Sequence, residues 1–255
     1  MVIAYTRDVS PTLGDCELTH LAREPLDVAK AAREHAAYEA VLVTLGAEVR
    51  RLPAAPELPD AVFVEDTAVV LDDVAVITRP GAVSRRDETA TTAAALAAHR
   101  SLVRIAEPGT LDGGDVLVID RRVYVGRSSR TNDAAIAQLD GFLGQRGYTV
   151  VPVDFRGCLH LKSCATRVAD DLVLLNPEWV RSESFAGCRA VAVAPGEPHA
   201  ANALRLGQSV IFPAHFPRTR ARLEAHGLHV SPVAMTELAK AEAGVTCCSL
   251  LLRGP

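Results

Sequence analysis

A repeated hairpin pattern constrains the fold of this chain more than any other feature of its sequence. In each copy a polar lead-in precedes a short apolar strand, a tight polar turn, a second strand rich in β-branched residues, and a Pro or Gly stop, which is typical of a β-hairpin. The copies span 63–80, 111–126, 160–177 and 202–213, with their turns at Asp72, Asp120, Asp170 and Gly207. The repetition predicts one structural unit that is used several times.

Each hairpin is followed by a helical pattern and one further strand, so the unit reads β-β-α-β. Helical patterns cover 87–98, 132–143 and 218–226, and the strands after them cover 102–105, 149–153 and 228–233. The third copy is less regular, since only a weak helical signal at 182–185 precedes its strand at 190–193. The two chain ends can complete a fifth unit, in which Ser249–Leu252 pairs with Val2–Tyr5 and the helix 26–45 and strand 48–52 follow.

Five such units can form a closed ring, because the strands at the two termini join its ends and leave no open sheet edge. We therefore predict an α/β fold, a five-bladed pseudo-symmetric α/β propeller of β-β-α-β units that is closed by the N- and C-terminal strands. Residues 1–255 are expected to form a single domain. The alternative topology is an ordinary α/β sandwich whose hairpins are similar by accident.

Charge and hydropathy exclude several classes of function. The net charge of −4 and the isoelectric point of about 6.1 provide no basic surface for nucleic acid. No stretch approaches the ~18 apolar residues of a membrane span, and residues 1–8 reach charged positions too early for a signal peptide. The six cysteines are scattered without a Cys-x-x-Cys pair, so we expect free thiols and a cytoplasmic protein.

The polar lead-ins of the units carry the residues that can do chemistry. They contain Glu65, Asp66, Asp112, Asp115, His160 and Cys247. In a radial arrangement these lead-ins meet at the axis of the ring. Each residue also has an ordinary interpretation, such as a turn for the aspartates, an interior histidine, or a small buried cysteine. Their common position favours one shared site, since a thiol beside a base and an acid can act as a nucleophile.

The lead-ins belong to four longer motifs: Asp60-x-x-Phe63-Val64-Glu65-Asp66, Leu111-Asp112-Gly113-Gly114-Asp115-Val116-Leu117, Leu159-His160-Leu161-Lys162 and Gly244-Val245-Thr246-Cys247. Together with further matches at 78–81, 84–86, 126, 129–132 and 217–220, these motifs resemble the dimethylarginine dimethylaminohydrolase family of the guanidine-modifying, amidinotransferase-like superfamily. The resemblance spans most of the chain. It implies a five-unit α/β propeller, in agreement with the repeat, and an enzyme that hydrolyses Nω-methylated arginine to citrulline and methylamine or dimethylamine.

The same resemblance implies three catalytic residues. Cys247 attacks the guanidinium carbon and expels the amine, which leaves a covalent S-alkylthiouronium intermediate. His160 protonates the departing amine and later activates water, and Asp112 orients and charge-stabilises His160. Attack requires a thiolate. The bound cation can itself favour that thiolate, so the resting pKa of Cys247 need not be low.

Seven further residues are implied to bind the substrate. Carboxylates suit the guanidinium, guanidinium groups suit the α-carboxylate, and another carboxylate suits the α-ammonium. The resemblance assigns Asp66 and Glu65 to the guanidinium, Arg85 and Arg130 to the α-carboxylate, Asp60 to the ammonium, and the backbone of Leu18 and Ala241 to the pocket wall. Arg85 and Arg130 have an alternative interpretation as exposed surface charges near helix starts.

We expect no cofactor and no metal. Cys164 lies near His160 in the sequence, but two ligands do not make a structural zinc site. Cys248 is expected to point away from Cys247, as alternate residues do in an extended chain, and to be a buried neighbour.

Alternative activities stay open at this point. Arginine deiminase, peptidyl-arginine deiminase and amidinotransferase use the same machinery, and a non-catalytic propeller that binds a ligand is an alternative of another class. A helical insertion, usual in arginine deiminases, has no room in 255 residues. Arg85 and Arg130 favour a site closed around a free amino acid over a peptidyl site. The partner we expect is a small guanidino amino acid, and the assembly is open between monomer and homodimer.

Overall fold

The computed structural model describes residues 1–254, whose strands form five sheets of three strands each. The strands are β1 Val2–Thr6, β2 Ala47–Arg51, β3 Ala68–Val70, β4 Val74–Ile77, β5 Ser101–Arg104, β6 Val116–Ile119, β7 Arg122–Arg127, β8 Thr149–Asp154, β9 Ala165–Ala169, β10 Leu172–Leu175, β11 Arg189–Ala192, β12 Leu204–Leu206, β13 Ser209–Pro213, β14 His229–Val233 and β15 Leu250–Arg253. The α-helices are α1 Val28–Thr44, α2 Thr89–Leu96, α3 Asp133–Gly144, α4 Leu161–Cys164, α5 Pro217–Ala225 and α6 Thr236–Ala239. Short 3₁₀ helices span Leu13–Asp15, Val64–Thr67, Val83–Glu88, Gly113–Asp115 and Ser182–Ser184.

Every sheet has the same topology. Two strands form an antiparallel hairpin, and the third returns parallel to the second, as in β3-β4-β5. The order recurs in β6-β7-β8, β9-β10-β11 and β12-β13-β14. In the fifth sheet β15 lies antiparallel to β1, and β2 lies parallel to β1, so the chain ends close the ring. The predicted five-unit α/β propeller is confirmed, and the sandwich alternative is wrong.

The core is divided into five apolar clusters, one between each pair of neighbouring sheets. One cluster, for example, joins Val76 of β4 to Val123 of β7 and Leu139 of α3. Since each sheet is covered on both faces, β4 and β10 are buried at every position and carry no polar face. This is why the hairpins are recognisable as short apolar runs instead of alternating patterns.

The third unit agrees with its weak helical pattern, whereas the fifth departs from its predicted register. The third unit has only the 3₁₀ helix Ser182–Ser184 between β10 and β11, in line with its weak helical pattern. In the fifth unit the pairing is shifted by one residue, since Tyr5 faces Leu250 and Val2 faces Arg253.

Among residues 1–254, no helix has both the length and the apolar composition needed to cross a membrane.

The lead-ins are placed by the inner strands. β3, β6 and β9 each follow directly on the short helices Val64–Thr67, Gly113–Asp115 and α4, and these three helices contact one another. The inner strands of neighbouring units are also in contact, β3 with β15 and β9 with β6 and β12. The residues that precede the inner strands therefore come together around the axis of the ring.

Candidate active site

A small cavity lies where the lead-ins converge. It is lined by Glu17, Asp60, Phe63, Asp66, Arg85, Arg130, Leu159, His160, Ala241, Glu242, Ala243 and Cys247. Seven of the ten predicted site residues are in this lining; Asp112, Glu65 and Leu18 are not. The cavity encloses about 20 Å³, which is room for about one water molecule.

His160 lies among three buried aspartates. Its Nε2 is 3.1 Å from Oδ2 of Asp112, and its Nδ1 is 3.9 Å from Oδ1 of Asp66. Burial disfavours the imidazolium, but Asp66, Asp112 and Asp115 outweigh that penalty and raise the pKa of His160 to about 9. At neutral pH the ring is therefore a proton donor.

Asp112 and Asp66 are fixed by backbone amides as well as by charged partners. Oδ1 of Asp112 accepts the N–H of Gly81 at 2.9 Å, and Oδ1 of Asp66 accepts the N–H of Gly114 at 2.8 Å. Burial opposes ionisation of Asp66, but His160 and Arg85 hold its pKa down to about 2. Asp66 thus presents a permanent negative charge to the cavity, which suits a cationic guanidinium.

Gly114 lets His160 and Asp66 approach the backbone. A Cβ at this position would lie 2.6 Å from Nδ1 of His160 and 2.8 Å from Oδ1 of Asp66. Either distance is below van der Waals contact. The glycine pair in the Asp112–Asp115 motif is thus a steric requirement of the site and not only a turn signal.

Cys247 is half-buried on the cavity wall. The N–H of Gly244 donates to its Sγ at 3.4 Å, and its carbonyl accepts the N–H of Glu65 at 3.1 Å. Burial, together with the negative charges of Glu65 and Asp66, raises the pKa of the Cys247 thiol to about 12. The resting nucleophile is a neutral thiol, and a bound cation would favour its ionisation.

Arg85 is buried and forms ion pairs on two sides. Its Nη1 donates to Asp66 at 2.7 Å, while its Nε and Nη2 donate to Glu88 at 3.1 and 2.9 Å. Arg130 is also buried, and its Nη2 donates to the hydroxyl of Thr19 at 3.2 Å. With exposed fractions of 4% and 7%, neither arginine is a surface charge, so that alternative is wrong.

Asp60 is buried at the same end of the cavity. Burial raises its pKa, although Arg85 opposes the shift. Its carboxylate accepts the backbone N–H of Glu17 at 3.1 and 3.3 Å. The segment 16–27, which contains no helix or strand, reaches the cavity through Glu17 and contacts Asp60 and Arg130, the groups predicted to hold the α-amino and α-carboxylate ends.

Glu65 lies behind the cavity, in a ring of hydrogen bonds around the axis. Its Oε1 accepts from Nζ of Lys162 and its Oε2 from the hydroxyl of Thr246, both at 2.6 Å. Nδ2 of Asn202 donates to the Thr246 hydroxyl and to the Lys162 carbonyl, both at 3.0 Å. In this axial ring of Glu65, Lys162, Asn202 and Thr246, all members but Asn202 also line a second cavity of about 500 Å³, the axial channel, together with residues of the inner strands β3, β6 and β12.

Five residues that support the site had no role predicted from the sequence: Asp115, Lys162, Asn202, Thr246 and Glu88. Asp115 is the clearest case, since its carboxylate accepts the N–H of Leu161 at 2.9 Å and the Ser128 hydroxyl at 2.6 Å, so that it holds the residue after His160. Burial raises the pKa of Asp115 to about 6. The position of Asp115 in the Asp112–Asp115 motif is the sequence feature that could have identified it. For Glu88 the only such feature is its spacing of three residues from Arg85.

Two predicted pocket residues and two cysteines lie in different environments. Ala241 is buried on the cavity wall, whereas Leu18 packs against the apolar cluster around α1. Cys248 is fully buried, as expected, but residues 245–248 form a turn, so the extended-chain argument for its direction is wrong. Cys164 is buried and its thiol donates to the Leu161 carbonyl at 3.2 Å.

One group of metal-ligating side chains occurs in the described part of the chain. Atoms of Asp66, Asp112 and His160 lie within 4.8 Å of one another. The charges of this group are already matched, because Arg85 neutralises Asp66 and the protonated His160 faces both carboxylates. A divalent cation would have to replace the imidazolium proton beside Arg85, so the arrangement fits proton transfer better than metal binding.

Several known proteins are similar to this chain in sequence. The sequence model of eukaryotic N,N dimethylarginine dimethylhydrolases matches residues 22–189. The N(G),N(G)-dimethylarginine dimethylaminohydrolase of Streptomyces coelicolor is 40% identical over 251 residues, which cover 98% of this chain and 96% of that protein. The protein of the same name from Pseudomonas aeruginosa is 34% identical over 234 residues, 91% of each chain.

Two solved structures have a fold similar to that of this chain. A cysteine-to-serine mutant of the Pseudomonas aeruginosa protein complexed with citrulline has a TM-score of 0.93 at 32% identity and covers 98% of both chains. A histidine-to-glycine variant of a dimethylarginine dimethylaminohydrolase, as an adduct with S-methyl-L-thiocitrulline, has a TM-score of 0.93 at 32% identity, with 99% of this chain and 100% of that chain covered.

Proposed function

Since this chain belongs to the dimethylarginine dimethylaminohydrolase family, we propose that it hydrolyses Nω-methylated arginine, monomethyl or dimethyl, to citrulline and methylamine or dimethylamine. One observation carries the proposal: Cys247, a protonated His160 paired with Asp112, and the ionised Asp66 converge at one buried cavity. The relatives crystallised with citrulline and S-methyl-L-thiocitrulline support the same substrate class.

Binding begins with the two charged ends of the substrate. The guanidinium cation is proposed to lie against Asp66, with Glu65 contributing from the axial ring. The ammonium is assigned to Asp60 and the α-carboxylate to Arg130 and Arg85. Arg130 has the stronger support, because it gives up only a neutral contact to Thr19, whereas Arg85 already pairs with two carboxylates. The backbone of Leu18 and Ala241 completes the proposed pocket.

The chemistry then follows from the resting protonation states. The substrate cation beside Cys247 favours the thiolate, and one proton leaves to solvent. The sulfur bonds to the guanidinium carbon, His160 gives its proton to the departing nitrogen, and the C–N bond breaks to release the amine. The thiouronium remains. Neutral His160 then removes one proton from water, whose oxygen bonds to the same carbon. The C–S bond breaks and the remaining hydroxyl proton passes to solvent, which gives citrulline, the thiolate and a protonated His160.

The cavity must open before substrate can bind. Its volume of about 20 Å³ holds about one water molecule, far less than an amino acid needs. The segment 16–27, whose Glu17 lines the cavity, has no regular secondary structure and is held by side-chain contacts, among them those of Asp60 and Arg130. We propose that this segment moves during substrate entry.

Replacement of the nucleophile tests the proposal. Cys247→Ser should abolish ureido-product formation from methylarginine, while the circular dichroism spectrum stays that of the native fold. Cys188→Ser, at a half-buried thiol outside the cavity lining, is the matched control and should retain full turnover. Unchanged turnover in Cys247→Ser would refute the mechanism. A wild-type preference for arginine over methylarginines would indicate a deiminase instead.

Four further properties belong to this proposal. Residues 1–255 act as a single catalytic domain, which is supported by the ring closure of β15 on β1. The reaction needs no cofactor, and metal-dependent recovery of activity after chelator dialysis would contradict this. All six cysteines are free thiols, which supports a cytoplasmic location that cell fractionation can check. Light scattering decides between a monomer and a homodimer.

A further inference from the structure

Glu242 makes an unusual contact with the segment that borders the cavity. One oxygen of its carboxylate, Oε1, accepts the backbone N–H groups of three consecutive residues: Thr19 at 3.0 Å, His20 at 2.5 Å and Leu21 at 2.5 Å. Consecutive amides that point at one anion form a concave binding site for negative charge. In this chain the anion is a side chain more than 200 residues away in the sequence.

The backbone of Glu242 is also unusual. Its φ of 58° lies in the left-handed region, which favours glycine and is uncommon for other residues. A glutamate at such a position needs a compensating contact, and the three amide hydrogen bonds supply one. The side chain also lines the cavity, together with Ala241 and Glu17.

Glu242 links the segment 16–27 to the cavity wall at Ala241. Its carboxylate binds the amides directly after Leu18, and its own backbone directly follows Ala241. The same segment contacts Asp60 through the N–H of Glu17 and Arg130 through the hydroxyl of Thr19. The contact therefore fixes the distance between this segment and the Ala241 wall, beside Asp60 and Arg130.

We propose that Glu242 is a positioning residue, which holds residues 16–27 against the Ala241 wall and thereby shapes recognition of the α-amino and α-carboxylate groups. This inference rests on the proposed function. It predicts weaker binding without loss of the chemical step, because Cys247, His160 and Asp112 lie outside the contact. A mutation with that effect raises KM and leaves kcat nearly unchanged.

Glu242→Gly is the informative substitution, because glycine adopts the left-handed conformation freely and the fold should be retained. We expect the amide protons of residues 19–21 to exchange about tenfold faster or more. The KM for methylarginine and the Kd for citrulline should both rise about tenfold, with kcat within about threefold of the wild type. Glu24→Gln removes an exposed carboxylate from the same segment and should change none of these values.

The outcomes separate this inference from the proposed function. Faster exchange at residues 19–21 with weaker citrulline binding supports the positioning role, even if the wild type does not turn over methylarginine and the proposed function fails. Unchanged exchange overturns the role of the carboxylate in holding the segment. Faster exchange with unchanged KM and citrulline Kd shows that the contact is structural only, and also overturns the proposal.

Discussion

Replacing Lys162 by methionine should destabilise the protein strongly, because the substitution leaves a buried carboxylate without its cation. Nζ of Lys162 lies 2.6 Å from Oε1 of Glu65, and the exposed fractions of the two side chains are 15% and 9%. Removing one partner of a buried ion pair typically costs about 3–5 kcal/mol. The lower end applies here, about 3 kcal/mol, since the Thr246 hydroxyl remains bonded to Glu65 and both ionic side chains line the axial channel, which water can enter.

Urea unfolding followed by circular dichroism measures this loss, which corresponds to roughly 6–12 °C in Tm for a chain of this size. The variant Lys162→Met/Glu65→Gln should recover most of it and lie within about 1 kcal/mol of the wild type, because no unpaired charge is left. Lys30→Met, which removes an exposed partner of Glu237, is the surface control and should cost far less stability than Lys162→Met, because solvent screens the pair and Lys240 still binds Glu237.

The pH dependence of the stability loss in Lys162→Met provides an independent test of its electrostatic cause. Burial raises the pKa of Glu65 even when Lys162 is present, and loss of the ammonium raises that pKa further. The destabilisation of Lys162→Met should therefore shrink as the pH falls, since the carboxyl group takes up a proton in the folded state. A double variant no more stable than Lys162→Met, or a loss independent of pH, would refute this reasoning.

Two other predictions concern the reacting groups and the glycines. Below about pH 9 both Cys247 and His160 hold protons, whereas attack requires a thiolate and an imidazolium. The value of kcat/KM should therefore rise about tenfold per pH unit up to about pH 9 and then become constant. A kcat/KM profile that is flat from about pH 6 to about pH 9 would contradict this. Gly114→Ala should lower kcat about 100-fold or more by displacing His160. Gly141→Ala, in α3 with open space around it, should keep kcat and add about 0.5–1 kcal/mol to the free energy of unfolding in a urea titration; equal turnover of the two alanine variants would contradict the packing around Gly114.

Much of the fold was predictable because its information is local and repeated. The hairpins, the helices after them and the pairing of the chain ends all follow from short apolar runs, turn residues and helical periodicity, to within one or two residues in the sheets. The weak third helix was predictable for the same reason. Lead-ins at equivalent positions of a ring must converge, which located Asp66, Asp112, His160 and Cys247 near one axis.

The direction of each side chain in those lead-ins was not predictable. Glu65 and Asp66 are adjacent on one 3₁₀ helix, yet Asp66 faces the cavity and Glu65 belongs to the axial ring. Periodicity cannot separate them, because a single 3₁₀ turn has no repeating face and tertiary packing alone decides which carboxylate meets the cavity.

The sequence by itself determined the repeating unit, the ring and the set of chemical groups at its axis. The tertiary structure decided the charges and contacts of those groups: the imidazolium of His160 among buried aspartates, the neutral thiol of Cys247, and the carboxylate of Glu242 on three amides from the other end of the chain. The physical reason is range. Strand and turn preferences depend on neighbours in the chain, whereas protonation and positioning depend on burial and on partners that only folding brings together.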